Sequence, residues 1–434
     1  MSKISLLFLL TFFSGLITAL TVNGVWGFYL YQLVYFLNPG HRWWSANIPD
    51  LKYSFTIVVF MMLAFIMQHK ECKNNTLFEA PQTKWLIGII IMFLITQLYA
   101  ISPEHNMVAL IDLTKMFIVM ALAYKFIDTP RKFEISLWFF IIGAAYIGWE
   151  AYSVGRTGAG RVEGIGTLDA PDANSTAALL VPTIPFLIYF VWQGTLKVKF
   201  LTVFFGVWIA NALVLINSRG AFLGVLVGAG YFSFMMIFSH FKSYKQRSSA
   251  LLIIAVSLSG ALSLTDDQFW SRMSTLQDVE DEETSGSHRY RMWLATFDVV
   301  ADYPGGTGAY GYNILSPIYV DEHLFHPGQK TKSVHSTWFQ ALSELGWLGL
   351  FIFCGLLLSS FRVLKQIKTT LKTKGDSTTY FKVASIECGL LGYLTTVTFI
   401  NQFRAQILYW LIMYTACLAN IYLYHEKDKD SKHL

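Results

Sequence analysis

Three short stretches carry the residues best able to do chemistry. In "INSRGAFLGVLVG" (216–228) an arginine, Arg219, stands at the mouth of a long apolar run. In "HRYRMW" (288–293) two more, Arg289 and Arg291, lie in a stretch rich in acids. In "VHSTWFQ" (334–340) a histidine, His335, opens another apolar run. A guanidinium stays charged at every physiological pH and forks onto phosphate oxygens. A neutral imidazole accepts a proton near pH 7. The types present therefore suit an anion grip beside a general base. Position alone gives Arg219 a plainer role, a side chain reaching from a helix end to the membrane interface. A lone histidine at a helix start is more often a cap than a base. Arg289 and Arg291 also have carboxylates in reach, with Glu282, Glu283 and Asp298 as the expected partners.

What must position these residues is a membrane. The chain has 434 residues, 54% hydrophobic and 16% aromatic, and only 14% charged, against roughly 25% charged in soluble proteins. Apolar runs of spanning length lie at about 53–68, 84–101, 107–127, 134–152, 174–192, 199–216, 220–239, 249–264, 335–359, 380–400 and 404–424. The segment 4–37 is also apolar but broken at Asn23-Gly24, so it crosses once as a tilted helix or twice as a hairpin. It has no small-residue cleavage site and is expected to stay in the membrane. The expected fold is an all-α polytopic membrane protein of about 12 helices. It divides into helices over 1–264, a large partly helical loop over 265–334, helices over 335–424 and a solvated tail over 425–434.

Lysine and arginine set the orientation. Loops on the side of the C-terminus carry 20 of them and loops on the other side 11. The C-terminus is therefore expected in the cytoplasm. Arg219, Arg289, His335 and the loop 265–334 then lie outside, at the face away from the C-terminus. That loop holds eleven acids and five bases, with a short helix expected near 290–301 and another near 316–324. Cys72, Cys354, Cys388 and Cys417 are scattered, without metal or disulfide spacing. A net charge of +5 without interleaved aromatics does not read as a nucleic-acid binder. No repeat and no nucleotide-binding loop is evident.

The order of three blocks resembles the O-antigen ligase and polymerase superfamily of bacterial envelope enzymes. They are "NSRGAFLG" (217–224), "HRYRMWLATFDVVADYPGGTGAYGYN" (288–313) and "VHSTWFQALSELGWLGLFIF" (334–353). The shared features are Arg289 four residues before Trp293, the turn from Pro304 to Gly308, His335, and Glu344-Leu345-Gly346 followed by Gly349. Two further blocks, 35–60 and 170–190, are similar to exosortase-associated O-glycosylation ligases. That branch reads Asp-Asn-Asn where this chain has Asp172-Ala173-Asn174.

The resemblance implies transfer of a glycan from a polyprenyl (undecaprenyl) diphosphate to a hydroxyl on a lipid, glycan or protein acceptor. No cofactor, metal or nucleotide is called for. Arg219, Arg289, Arg291 and, more weakly, Arg404 would hold the diphosphate, and His335 would take the hydroxyl proton. His326 is the substitute base. Asp172 and Asn174 read as an acceptor contact or a helix cap, and Glu344 as a helix-packing carboxylate about 13 Å along a continuous helix from His335. Gly346 and Gly349 would let a neighbouring helix approach. The alternatives are a polymerase of the same superfamily and a transporter of lipid-linked sugar. A transporter would place its polar residues near the bilayer midplane, whereas here they gather at one end.

Overall fold

The computed structural model describes every residue except Met1, Glu71, Lys73, Asn74, Gly158, Ala159, Lys242, Ser243, 275–284, His326 and 425–434; for 244–246 and 285–287 it describes only the backbone. His326, the acidic run around 280–283 and the tail thus lie outside the described residues. The described residues form helices and no strand. The helices are α1 (Lys3–Thr21), α2 (Val25–Leu37), α3 (Tyr53–Met67), α4 (Gln82–Thr96), α5 (Pro103–Phe126), α6 (Pro130–Val154), α7 (Ala173–Leu180), α8 (Thr183–Gln193), α9 (Leu196–Ile216), α10 (Arg219–Phe238), α11 (Tyr244–Leu264), α12 (Asp267–Ser274), α13 (Ser285–Asp302), α14 (Gly311–Tyr319), α15 (Thr337–Lys374), α16 (Ser377–Val397) and α17 (Gln406–Ala419).

Among the described residues nine stretches are long and apolar enough to cross a membrane, and α3 and α4 are shorter apolar helices. The protein is a polytopic membrane protein. Segment 4–37 folds as two helices packed side by side, with Gly15 against Leu30 and Gly27 against Ala19, so the break at Asn23-Gly24 is a hairpin turn. The predicted span 380–400 forms α16 but falls outside the nine. α16 carries Lys382 and Glu387, which pair with Glu134 (2.6 Å) and with Lys368. Charges inside a bundle persist only when paired.

At the centre stands α17, whose Tyr409, Trp410 and Tyr414 are wholly buried. Beside it, α10 and α16 meet backbone to backbone. Gly220, Gly224 and Gly228 recur every fourth residue on α10 and face Gly392, Thr396 and Cys388. A Cβ on Gly224 would lie 2.5 Å from the Gly392 carbonyl oxygen, so only small residues permit this approach. The contact sets Arg219, the first residue of α10, beside the turn between α16 and α17.

One long helix is not continuous. α15 breaks at Gly346, with φ 67° and ψ −171°. The expected unbroken helix from His335 past Glu344 is therefore corrected to two segments meeting at a kink.

Candidate functional site

The α9–α10 turn consists of two residues. Asn217 closes α9 in the left-handed conformation (φ 55°) and Ser218 is extended, so α10 starts at Arg219. Both are tied down. Asn217 Nδ2 donates to the Gln268 carbonyl of α12 (3.2 Å), and the Ser218 hydroxyl donates to Asn174 Oδ1 of α7 (2.9 Å). Asn174 thus links α7 to the Arg219 turn. Asp172 is the N-cap of α7, accepting from the backbone N–H groups of Asn174 (2.9 Å) and Ser175 (3.1 Å). Such a cap satisfies helix donors that lack partners inside the helix.

Arg289 lies in the first half of α13, half-buried. Trp293, one turn on, stacks on Phe339 of α15 with centroids 5.4 Å apart, and Tyr312 of α14 donates to the Met292 carbonyl (2.8 Å). These contacts pin α13 over the start of α15. Burial lowers the Arg289 pKa, and the neighbouring Arg219 and Arg272 guanidiniums lower it further. Arg291 projects from another face of the same helix. It meets His323 (2.7 Å) and Asp321 (3.8 Å); of the carboxylates expected from sequence, Glu282 and Glu283 lie outside the described residues. The structure brings Arg219 and Arg289 together and turns Arg291 away.

His335 sits just before α15, with φ 52°. A side chain in that left-handed region costs about 1–2 kcal/mol, so the surroundings must hold it there. Burial is the largest influence on its ring and drives the pKa down to about 4. The Arg289 charge acts in the same direction, as does Lys332, and Asp172 opposes them. Burial and the neighbouring cations thus favour the neutral imidazole.

Glu344 and Arg404 form a buried-to-half-buried ion pair, Arg404 Nη2 lying 3.2 Å from Glu344 Oε1. Gln340 donates to the same oxygen (2.9 Å). Arg404 is therefore engaged with a carboxylate on the site's flank. Gly346 does not receive a neighbouring helix. At Gly346 the turn from Pro304 to Gly308 enters the kink instead: Thr307 N–H donates to the Ser343 carbonyl (2.8 Å) and Gly308 N–H to the Glu344 carbonyl (2.9 Å). Gly349 lies against Leu345 of its own helix. The Pro-Gly turn and the Glu-x-Gly motif are two halves of one joint. Gly346→Ala should damage it, because a Cβ would sit 2.3 Å from the Pro304 carbonyl oxygen, in addition to the left-handed backbone's cost of about 1–2 kcal/mol. A clearly lower thermal midpoint of the detergent-purified variant is expected; an unchanged midpoint would contradict the joint.

Four nearby residues escaped the sequence reading. Arg272 of α12 belongs to the Arg219–Arg289 group, and Arg161 neighbours it in turn while pairing with Glu163 (2.8 Å). The apolar Phe269 and Met273, four apart, were the usable signal that α12 docks. Phe269 packs edge-on to Phe222 of α10 at 5.5 Å. Lys332 is buried three residues before His335. Asn401, in the α16–α17 turn, accepts from the Ser336 N–H (3.0 Å), and no local pattern marks it. Among the described residues no three His, Cys, Asp or Glu side chains converge as metal ligands.

The site is thus a one-ended cluster of guanidiniums beside a neutral imidazole, able to hold an anion and to accept a proton. Residues 204–354 match the family model described as O-antigen ligase, which supports the O-antigen ligase superfamily. The match spans Arg219, Arg289, His335 and Glu344; it ends before Arg404 and does not single out the exosortase-associated branch. No curated protein matches the chain.

Proposed function

We propose that this chain, which carries an O-antigen ligase domain over residues 204–354, transfers a glycan from a polyprenyl diphosphate to an acceptor hydroxyl at the periplasmic face of the inner membrane. The C-terminus lies in the cytoplasm. Polysaccharide or glycoconjugate assembly at the cell envelope is the setting. The acceptor oxygen attacks the anomeric carbon, the bond from that carbon to the diphosphate oxygen breaks, and the hydroxyl proton passes to His335. One displacement inverts the anomeric configuration.

Arg219 and Arg289 bind the diphosphate and neutralise the charge that grows on it as it leaves, the work a metal ion does elsewhere. Arg272 joins this grip. Arg291 and Arg404, engaged with Asp321 and Glu344, stand outside it. Asp172 and Asn174 shape the wall through their cap and their tie to Ser218.

The observation that carries the reading is the convergence of Arg219, Arg289 and His335 from three separate segments, with the imidazole kept neutral by burial and by Arg289. The test is a reconstituted membrane with a synthetic polyprenyl-diphosphate glycan and a panel of lipid, glycan and protein acceptors. Acceptor-dependent release of polyprenyl diphosphate is expected. Movement of the donor between leaflets with no release from any acceptor would instead make the protein a transporter.

A further inference from the structure

We propose that Asn401 is the positioning residue that holds His335 in its left-handed backbone conformation and so aims the imidazole at the acceptor hydroxyl. The inference rests on His335 being the base. Ordinarily the N-cap side chain of a helix secures its first turn. Here Ser336 occupies that place, yet its hydroxyl makes no capping bond and, among the described residues, has no partner. The restraint comes from another pair of helices. Asn401 Oδ1 accepts from the Ser336 N–H at 3.0 Å, one residue past His335. Thr337 adds two bonds to the same turn, donating to the Ile400 carbonyl (2.9 Å) and accepting from the Gln402 N–H (3.0 Å).

The turn is itself locked from below. Phe403 N–H donates to Gln340 Oε1 (3.1 Å), Gln340 donates to Glu344, and Glu344 pairs with Arg404. Segment 336–344 and turn 400–404 are therefore laced together along their length. In this lacing Asn401 is the side chain that grips the backbone next to His335. A strained residue keeps its conformation only where its surroundings over-determine it. Without Asn401 the His335–Ser336 peptide loses its cross-helix anchor and the ring departs from its aim. A shift of about 1 Å in a catalytic group can cost 10²-fold.

The experiment uses the full chain in proteoliposomes, with the synthetic donor and whichever acceptor of the panel supports release. Asn401→Ala should lower kcat by about 10- to 100-fold while the donor KM stays within about twofold. Asn401→Asp keeps the accepting oxygen and should recover most of the loss. In the double variant Asn401→Ala with His335→Ala, the rate should be no lower than with His335→Ala alone, because residues acting as one unit are not additive. A kcat for Asn401→Ala within about twofold of the parent overturns the proposal. So does a further loss on top of His335→Ala, which would mark a merely structural role. Should Asn401→Ala fail to accumulate, Asn401→Ser, too short to reach the Ser336 amide, must show the same losses. Full activity of His335→Ala is a separate result that removes the base assignment itself.

Discussion

Replacing His335 by alanine should lower kcat by about 10²- to 10⁴-fold, the range of a lost general base, and leave donor binding intact. The ring is not among the groups proposed to grip the diphosphate, so affinity for the donor should persist. Its protonation gives a second signature. Burial, Arg289 and Lys332 disfavour the charged imidazolium and lower its pKa to about 4. The neutral, proton-accepting form therefore survives as the pH falls through the ordinary histidine range. The acid limb of kcat/KM, which reports the free enzyme, should lie near pH 4 rather than near 6.5. Stopped-time assays of polyprenyl diphosphate release across pH measure it. An acid limb at the ordinary value, or a His335→Ala enzyme at full speed, would sink the role.

Arg289→Ala should be nearly as severe, with a loss of about 10²- to 10³-fold in kcat/KM, as for removing one group that stabilises charge in the transition state. Arg289→Lys should recover part of it, since an ammonium restores charge but not the planar fork. The alanine change should also move the acid limb upward in pH, because Arg289 is the second cause of the low His335 pKa. Removing that cation favours the imidazolium. Loss of turnover with no movement of the limb would separate the two residues in space. Unchanged turnover in Arg289→Ala would refute the grip.

Why some of this was legible in the sequence follows from where the residues stand. Arg219 and His335 are polar residues at the ends of apolar runs, where the bilayer makes any charged or ionisable group conspicuous. Trp293, one helical turn from Arg289, is an anchor that a period of 3.6 places on the same face, and it stacks on Phe339. The Asn23-Gly24 break is strong turn chemistry, and α1 and α2 fold back there. Eight of the nine membrane-length stretches coincide with apolar runs read from the sequence, and the ninth is α1.

Other features depend on partners far away in the chain. Glu344-Leu345-Gly346 looks like helix interior until the Pro304–Gly308 turn is seen to supply N–H donors for its last carbonyls. Arg404 resembles a free cation until Glu344 is found 3.2 Å from it, sixty residues away in sequence. Arg291 differs from Arg289 by two positions, which on a helix turns it to another face, toward Asp321 and His323. Asn401 acts on a backbone amide 65 residues away. Lys382 and Glu387 lower the apolarity of α16, although packing pairs both.

The most direct test of the account is the chemical structure of what leaves and what forms. Purified protein in vesicles would be given a donor of known anomeric configuration. The released carrier would be weighed by mass spectrometry, and the new glycosidic linkage assigned by NMR. A single displacement aided by Arg219, Arg289 and His335 predicts polyprenyl diphosphate as the leaving species and inversion at the anomeric carbon. Polyprenyl monophosphate, or a linkage with the donor's configuration retained, would contradict it.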